Sequence, residues 1–299
     1  MLLAAEEAAG ARALALIADE GHEPVLAVTT EDTRVAAAAA AANVPIAPPS
    51  ALRDPAFAGD VRSARVDLLL NVHSLVIVRA EILRAPRIGS FNLHPGPLPR
   101  YAGLDTPSWA IFAGETQYGT TVHWMDDRVD TGPIAYTATF PVAPAETGLS
   151  LSTRCAREGL ELVRRLLRDA AAGSVPSTPQ DLSGRRYFRR GPPGDGSVDW
   201  TASAAAIERF VRACDYQPLP SPWAPAPRTS LDGAELRLLR VRLTGEPAGA
   251  EPGTIAVDGD AARVCAGDGW LEVEYVQVDG RTVPAAEALR DGGMFDRPA

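Results

Sequence analysis

Along the first third of the chain, short unbroken apolar blocks alternate with segments in which apolar residues recur every three or four positions. Leu2 to Ala5 is one block, and Val25-Leu26-Ala27-Val28, between Pro24 and Thr29, is a second. Val44-Pro45-Ile46 is a shorter third, and Val66 to Val72, built around Leu68-Leu69-Leu70, is the fullest. Such blocks predict strands buried on both faces. Between them, Ala8 to Asp19, ending near Gly21, and the alanine-rich Thr33 to Ala42 carry helical spacing, and Ala80 to Leu83 predicts a short helix. Ile88 to Leu93 is the next strand. The alternation predicts an α/β fold with a Rossmann-like, doubly wound N-terminal domain.

Beyond residue 100 the pattern continues with a helix over Pro107 to Phe112 and strands over Gly119 to Met125 and Pro133 to Val142. An amphipathic helix follows over Leu151 to Ala171. Residues 176–196 are rich in Pro, Gly, Ser and Arg and read as a tether. After Asp199-Trp200 comes a helix carrying Ile207, Phe210 and Val211. Short strand-like runs then recur at Leu236 to Val241, Gly253 to Val257, Ala262 to Cys265 and Leu271 to Val278, separated by turns such as Gly267-Asp268-Gly269. These predict a smaller C-terminal β-barrel. The expected division is a catalytic domain over 1–178, a linker over 179–198 and the barrel domain over 199–299.

Composition narrows the classes. With 299 residues, 46% of them hydrophobic, the chain buries a substantial core. No apolar run is long enough to span a bilayer, and the start lacks the cationic region of a signal peptide, so a cytoplasmic protein is expected. Cys155, Cys214 and Cys265 are odd in number and far apart, which predicts reduced structural thiols rather than a disulfide framework or zinc site. All 29 basic residues are Arg, so any mechanism needing a catalytic lysine is excluded. Net charge is −9, which disfavours general nucleic-acid binding. No Gly-x-Gly-x-x-Gly follows the first strand, where the chain reads Ala5-Glu6-Glu7-Ala8-Ala9-Gly10, and dinucleotide binding is not expected.

The chemistry concentrates in Phe91-Asn92-Leu93-His94-Pro95-Gly96-Pro97-Leu98-Pro99-Arg100-Tyr101-Ala102-Gly103, answered by Asp126-Asp127-Arg128-Val129-Asp130-Thr131-Gly132. Asn92 and His94 are two apart at a strand end, so their side chains leave the same face. Ligands of such sheets bind beyond the carboxyl ends of the strands, where His94 lies. Imidazole, carboxylate and amide suffice for acyl transfer to an amine: the ring takes a proton, the carboxylate orients the ring, and the amide N–H meets the oxyanion.

The spacing Asn-x-His-Pro, then Leu98-Pro99 with Gly103, then Asp130-Thr131-Gly132, resembles the formyltransferases that use N10-formyltetrahydrofolate. The region from about 197 onward resembles the C-terminal domain of methionyl-tRNA formyltransferases. The resemblance implies transfer of a formyl group from N10-formyltetrahydrofolate, without a metal, with His94 as base, Asp130 as its partner and Asn92 as oxyanion donor. It implies donor contacts at His73, Ser74, Leu75, Val76 and Ile77, and also at Asp126 and Asp127. Acceptor contacts are expected at Tyr101 and Asp105. Asp105-Thr106-Pro107 also fits a helix N-cap. His123, in an alternating strand, reads as structural, as does Trp124, and His22 follows a helix-ending Gly.

Four readings of activity remain. The main one is a small-molecule amine formyltransferase of specialised metabolism, with N5-hydroxyornithine of a siderophore precursor as a concrete acceptor. The loop from Tyr101 to Ala110 resembles that of biosynthetic formyltransferases, which favours it, as does the acidic balance after residue 200, with 10 Arg against 15 Asp and Glu. The alternatives are a methionyl-tRNA formyltransferase, a formyltetrahydrofolate hydrolase and a folate-binding module without turnover. For tRNA, Arg237, Arg240 and Arg242 on one strand, and Arg185, Arg186, Arg189 and Arg190 in the tether, are the candidate basic stripes. Oligomeric state is open between monomer and homodimer.

Overall fold

In a computed structural model, residues 1–296 are described. The first strands and helices run β1 (Leu2–Ala5), α1 (Glu7–Asp19), β2 (Leu26–Val28), α2 (Arg34–Ala41), β3 (Ile46–Ala47), α3 (Phe57–Ser63), β4 (Leu68–Val72), α4 (Ala80–Leu83) and β5 (Gly89–His94). β6 (Ala102–Gly103), α5 (Thr106–Ala113), β7 (Gln117–Trp124), β8 (Ile134–Pro141) and α6 (Gly148–Ala171) follow. The seven-stranded sheet has the order β3-β2-β1-β4-β5-β7-β8. Strands β1 to β5 pair in parallel, as the apolar blocks predict, whereas β7 and β8 extend the sheet antiparallel. All five residues of β4 are buried, consistent with a central strand covered on both faces. One side of the sheet packs Leu14, Ile17, Val35, Leu70, Phe91, Leu166 and their neighbours; the other packs Leu2, Val28, Leu52, Val61, Leu69 and Ile82. α2 starts where Thr33 accepts the Ala36 amide at 3.1 Å. The weakly patterned stretch before β4 folds as α3, which sequence periodicity does not single out.

The remaining elements are β9 (Tyr187–Phe188), α7 (Ala204–Cys214), β10 (Arg228–Leu231), β11 (Ala234–Pro247), β12 (Thr254–Asp258), β13 (Ala261–Cys265), β14 (Gly269–Val278), β15 (Arg281–Pro284), α8 (Ala285–Ala288) and β16 (Gly293–Met294). Their antiparallel path is β10-β11-β14-β13-β12-β16, with β15 on β14. The Asp296 amide donates to the Ser230 carbonyl at 2.8 Å and ties the two ends of this path, giving the barrel-like closure expected.

The chain divides into two units. One comprises Met1–Gly103, Gln117–Pro141 and Ser152–Phe188; the other comprises Leu104–Thr116, Val142–Leu151 and Arg189–Ala299. This differs from the boundaries at 178 and 198. Within the stretch read as a linker, β9 pairs in parallel with β6, so residues to Phe188 are part of the first unit. The cause is sequence-distant: Arg and Gly give the segment a tether's composition, but its carbonyls and aromatic rings have partners on the loop after β5.

All three cysteines are buried and none forms a disulfide; burial pushes the Cys214 thiol up to about 12. Among the described residues no helix is long and apolar enough to cross a membrane. No group of His, Cys, Asp and Glu is arranged to hold a metal among them either.

Candidate active site

β5 lies between β4 and β7, and this placement brings the polar groups together. In the register of β5 and β7, Asn92 faces His123 and His94 faces Thr121. Cross-strand partners share a face, so the Asn92 amide donates to His123 Nε2 at 3.1 Å. His123 Nδ1 then donates to the Trp124 carbonyl at 2.7 Å, while its Nε2 sits between the Asn92 amide and the Asp130 carboxylate. After β5 the loop is pinned to β7. The Thr120 hydroxyl donates to the His94 carbonyl (2.8 Å), the Thr121 hydroxyl to the Gly96 carbonyl (2.8 Å) and the Tyr118 hydroxyl to the Pro95 carbonyl (3.1 Å). A Cβ at Gly96 would come within 2.8 Å of the Tyr101 carbonyl and 3.0 Å of His94 Nε2, so only glycine leaves room for that contact.

His94 is 3% exposed and Asp130 8%. His94 Nε2 donates to the Tyr101 carbonyl at 2.6 Å, and its Nδ1 lies 3.7 Å from Asp130 Oδ2. Asp130 Oδ2 accepts the Gly103 amide at 2.8 Å, and Oδ1 lies 3.5 Å from His123 Nε2. Asp130 itself sits in the left-handed region, at φ 55°. Burial lowers the His94 pKa, against the Asp130 carboxylate and the Tyr101 carbonyl, which favour its charge. The ring is therefore neutral at neutral pH. For Asp130, burial opposes ionisation, but His94, His123 and the Gly103 amide outweigh it and hold the carboxyl far below its usual range. A neutral imidazole beside a fixed carboxylate, with an amide donor on the same sheet face, is an arrangement for moving a proton from an amine during acyl transfer.

The structure thus brings Asn92, His94 and Asp130 together and adds His123. It does not add the neighbouring acids. Asp126 closes its own turn, accepting the Thr131 hydroxyl at 2.7 and 2.9 Å and the Arg128 amide at 3.0 Å. Asp127 pairs with Arg84 at 2.6 and 2.8 Å. A cavity of about 350 Å³ opens beside them, lined by Leu83, Arg84, Met125, Asp126, Asp127 and Arg128. After β4, Ser74 and Asn71 exchange hydrogen bonds of 3.2 and 3.1 Å. Leu75 and Ile77 are 61% and 64% exposed, whereas Val78 is buried and Val76 packs on the core. His73, at φ 61°, lies 3.6 Å from Glu7 Oε2 through Nδ1.

Two expectations are corrected. The Tyr101 ring does not face a substrate. It is fully buried, stacked on Phe188 at 5.0 Å and against the edge of Tyr118 at 5.1 Å, and what it gives the site is its carbonyl. Asp105 occupies the N-cap position of α5 at φ 54° but makes no capping bond; it accepts the Gly191 amide at 3.2 Å instead. Burial raises its pKa, with Gly191, Arg190 and Trp223 opposing. His123 was the residue missed. Its signal was available in the register: a histidine on β7 opposite Asn92.

A doubly wound sheet with an imidazole, a fixed carboxylate and an amide donor beyond its strand ends is the frame of an acyl-transfer enzyme. A family model described as "Formyl transferase" matches residues 4–167, and "Formyl transferase, C-terminal domain" matches residues 192–292. The methionyl-tRNA formyltransferase of Symbiobacterium thermophilum is 33% identical over 258 residues, covering 85% of this chain and 77% of that protein. That of Roseiflexus castenholzii is 32% identical over 289 residues, covering 92% and 90%. Among solved structures, the N-formyltransferase of Helicobacter canadensis, described with folinic acid and dTDP-3-aminofucose, superposes with a TM-score of 0.68 at 18% identity. It covers 91% of this chain and 97% of that one, which is a likeness of fold. The chain belongs to the formyl transferase family. It is a formyltransferase, and its formyl donor is N10-formyltetrahydrofolate.

Proposed function

We propose that the protein formylates the α-amine of initiator methionyl-tRNA through Asn92, His94 and Asp130. The convergence of these three side chains carries the chemistry, and the match to methionyl-tRNA formyltransferases over 85% and 92% of this chain supports the acceptor. The donor supplies the formyl carbon, and the chain supplies the rest. Asn92 donates to the formyl oxygen as negative charge develops there. His94 accepts the proton lost by the amine as the new C–N bond forms, and returns it to N10 as the formyl C–N10 bond breaks and tetrahydrofolate leaves. The imidazolium so formed has the Tyr101 carbonyl on one side and Asp130 on the other, and these two offset part of the cost that burial sets on its charge. His123 holds the Asn92 amide in place from β7. The cavity beside Asp126 and Asp127 and the exposed Leu75 and Ile77 suit an aromatic, hydrogen-bonding donor ring.

One observation favours the small-amine reading. On β11 the arginines that would meet tRNA phosphates are already engaged: Arg242 with Glu272 at 2.6 Å, Arg240 with Glu274 at 3.9 Å, and Arg237 with the Ala226 carbonyl at 3.0 Å. A neutralised strand releases few counterions on binding a polyanion. In that reading a cationic amine such as N5-hydroxyornithine is the acceptor. Tetrahydrofolate release from N10-formyltetrahydrofolate, measured with initiator methionyl-tRNA as the added amine, tests the choice. Rapid release with formyl-methionine on the tRNA is expected. Release only with ornithine or its hydroxylated form reverses the order of the two readings, and release without any amine makes the protein a hydrolase.

A further inference from the structure

The segment between α6 and β9 touches the catalytic loops at nearly every turn. Thr178 exchanges backbone hydrogen bonds of 2.8 and 3.0 Å with Ile134, and the Pro176 carbonyl accepts the Trp124 indole N–H at 2.7 Å. The Gln180 amide nitrogen then donates to the carbonyls of Asp130 (3.2 Å) and Gly132 (2.6 Å). Arg185 Nη2 donates to the Val129 carbonyl at 3.0 Å. The Arg186 carbonyl accepts the Ala102 amide at 3.0 Å, and the Phe188 ring backs Tyr101. Three carbonyls of the stretch that holds Asp130 are therefore gripped from one side chain set.

The grip falls on a residue in the left-handed region. Asp130 is a non-glycine residue at φ 55°, a conformation that persists only where surroundings over-determine it. Among the described residues no group of the loop's own turn is hydrogen-bonded to these carbonyls; Asp126 engages Thr131 and Arg128 instead. Gln180 also leaves its Oε1 buried without a partner, and Arg185 leaves its Nε so. A side chain that leaves a buried polar atom unsatisfied to keep two donors on one peptide stretch is over-committed to that stretch.

We infer that Gln180, seconded by Arg185, is a positioning residue for formyl transfer: it fixes the left-handed turn that aims the Asp130 carboxylate at His94. The inference rests on the site reading above and is independent of which amine is the acceptor. Neither residue reaches His94 or Asn92, so neither contributes a reacting group.

Gln180→Glu keeps the volume and turns the donor into an acceptor facing two carbonyls; Gln180→Leu removes both polar atoms. Tetrahydrofolate release is measured on the whole chain with N10-formyltetrahydrofolate and whichever amine supports turnover above. Both variants are expected to lower kcat tenfold or more with the donor KM within threefold. The acidic limb of the kcat profile should shift with them. In an Asp130→Asn background the same substitutions are expected to change kcat less than threefold, since there is then no carboxylate to aim. Equal losses in both backgrounds overturn the inference, as does a donor KM that rises at constant kcat. If the Gln180 variants do not fold, Arg185→Met goes through the same cycle with the same criteria. A near-wild-type kcat for Asp130→Asn overturns the site reading and this inference with it. A large loss there with unaffected Gln180 variants overturns the inference alone.

Discussion

In the first unit, polar groups are buried and converge. His94, His123 and Asp130 are 3%, 2% and 8% exposed, and Asn92 joins them from the neighbouring strand position. In the second unit the ionisable groups of the barrel face solvent in pairs, with Arg242 against Glu272 and Arg263 against Glu246. Burial changes what such groups do. Inside, each interaction is strong and its loss expensive, and pKa values move far enough to set a base beside a fixed carboxylate. Outside, an ion pair is screened and loosely held. Chemistry is therefore expected to be concentrated in the first unit and electrostatic adjustment in the second, and substitutions can test that contrast in order of size.

The largest effect belongs to His94→Ala. Turnover per folded molecule is expected to fall by about 10² to 10⁴, the range for a positioned acid–base group, alongside a loss of stability from the buried partners left unpaired. Tetrahydrofolate release checks it; a loss under tenfold removes His94 from the mechanism. Asn92→Ala should cost about 3 kcal/mol, near a hundredfold in kcat, if its amide meets the oxyanion. An unchanged kcat with a raised acceptor KM would make Asn92 a binding residue instead.

Gly103→Ala comes next and joins fold to chemistry. Gly103 sits at φ 99°, and a Cβ there would collide with the Phe188 carbonyl oxygen. Relief requires β6 to move off β9, which withdraws the Gly103 amide from Asp130. A stability loss of about 1–3 kcal/mol is expected from the backbone conformation alone, with a fall in kcat beyond it. Thermal unfolding and kcat on the same sample separate the two.

The pH dependence is a smaller test of the buried site. His94 is pushed below the ordinary histidine value of about 6.5. A base must be neutral to work, so kcat/KM should stay flat down to that value and fall only below it. Stability has the same sign: below about 6.5 the unfolded chain takes up a proton that the folded chain refuses, so stability is lost as pH falls. An acidic limb at or above 6.5 would mean that Asp130 and the Tyr101 carbonyl outweigh burial.

Much of the site was legible because its residues are local. Asn92 and His94 share a strand, and Asp130 is set apart from Asp126 and Asp127 by its place beside Gly132. The parallel core was legible too, since β4 is apolar throughout and its burial follows. What escaped depends on register and long-range docking. His123 enters only because β7 pairs with β5 antiparallel at one offset. Gln180 and β9 escaped because a Pro- and Arg-rich stretch has a tether's composition whether or not carbonyls elsewhere await it. The Tyr101 ring was misplaced for a related reason: two aromatic partners from β7 and β9 bury it.

The smallest effect sharpens the comparison from the other side. Arg242→Ala removes an exposed ion pair with Glu272, so stability should change by only about 0–1 kcal/mol. Formyl transfer to a small amine should be unchanged, because no group of the buried site is touched. Transfer to methionyl-tRNA discriminates. If β11 tracks phosphates despite its glutamates, kcat/KM for tRNA falls and the slope of its salt dependence drops by about one. Glu272→Gln should then do the reverse, since freeing Arg242 makes the strand more cationic. If neither substitution moves the tRNA reaction while His94→Ala abolishes it, β11 takes no part in acceptor binding and its arginines only balance their glutamates.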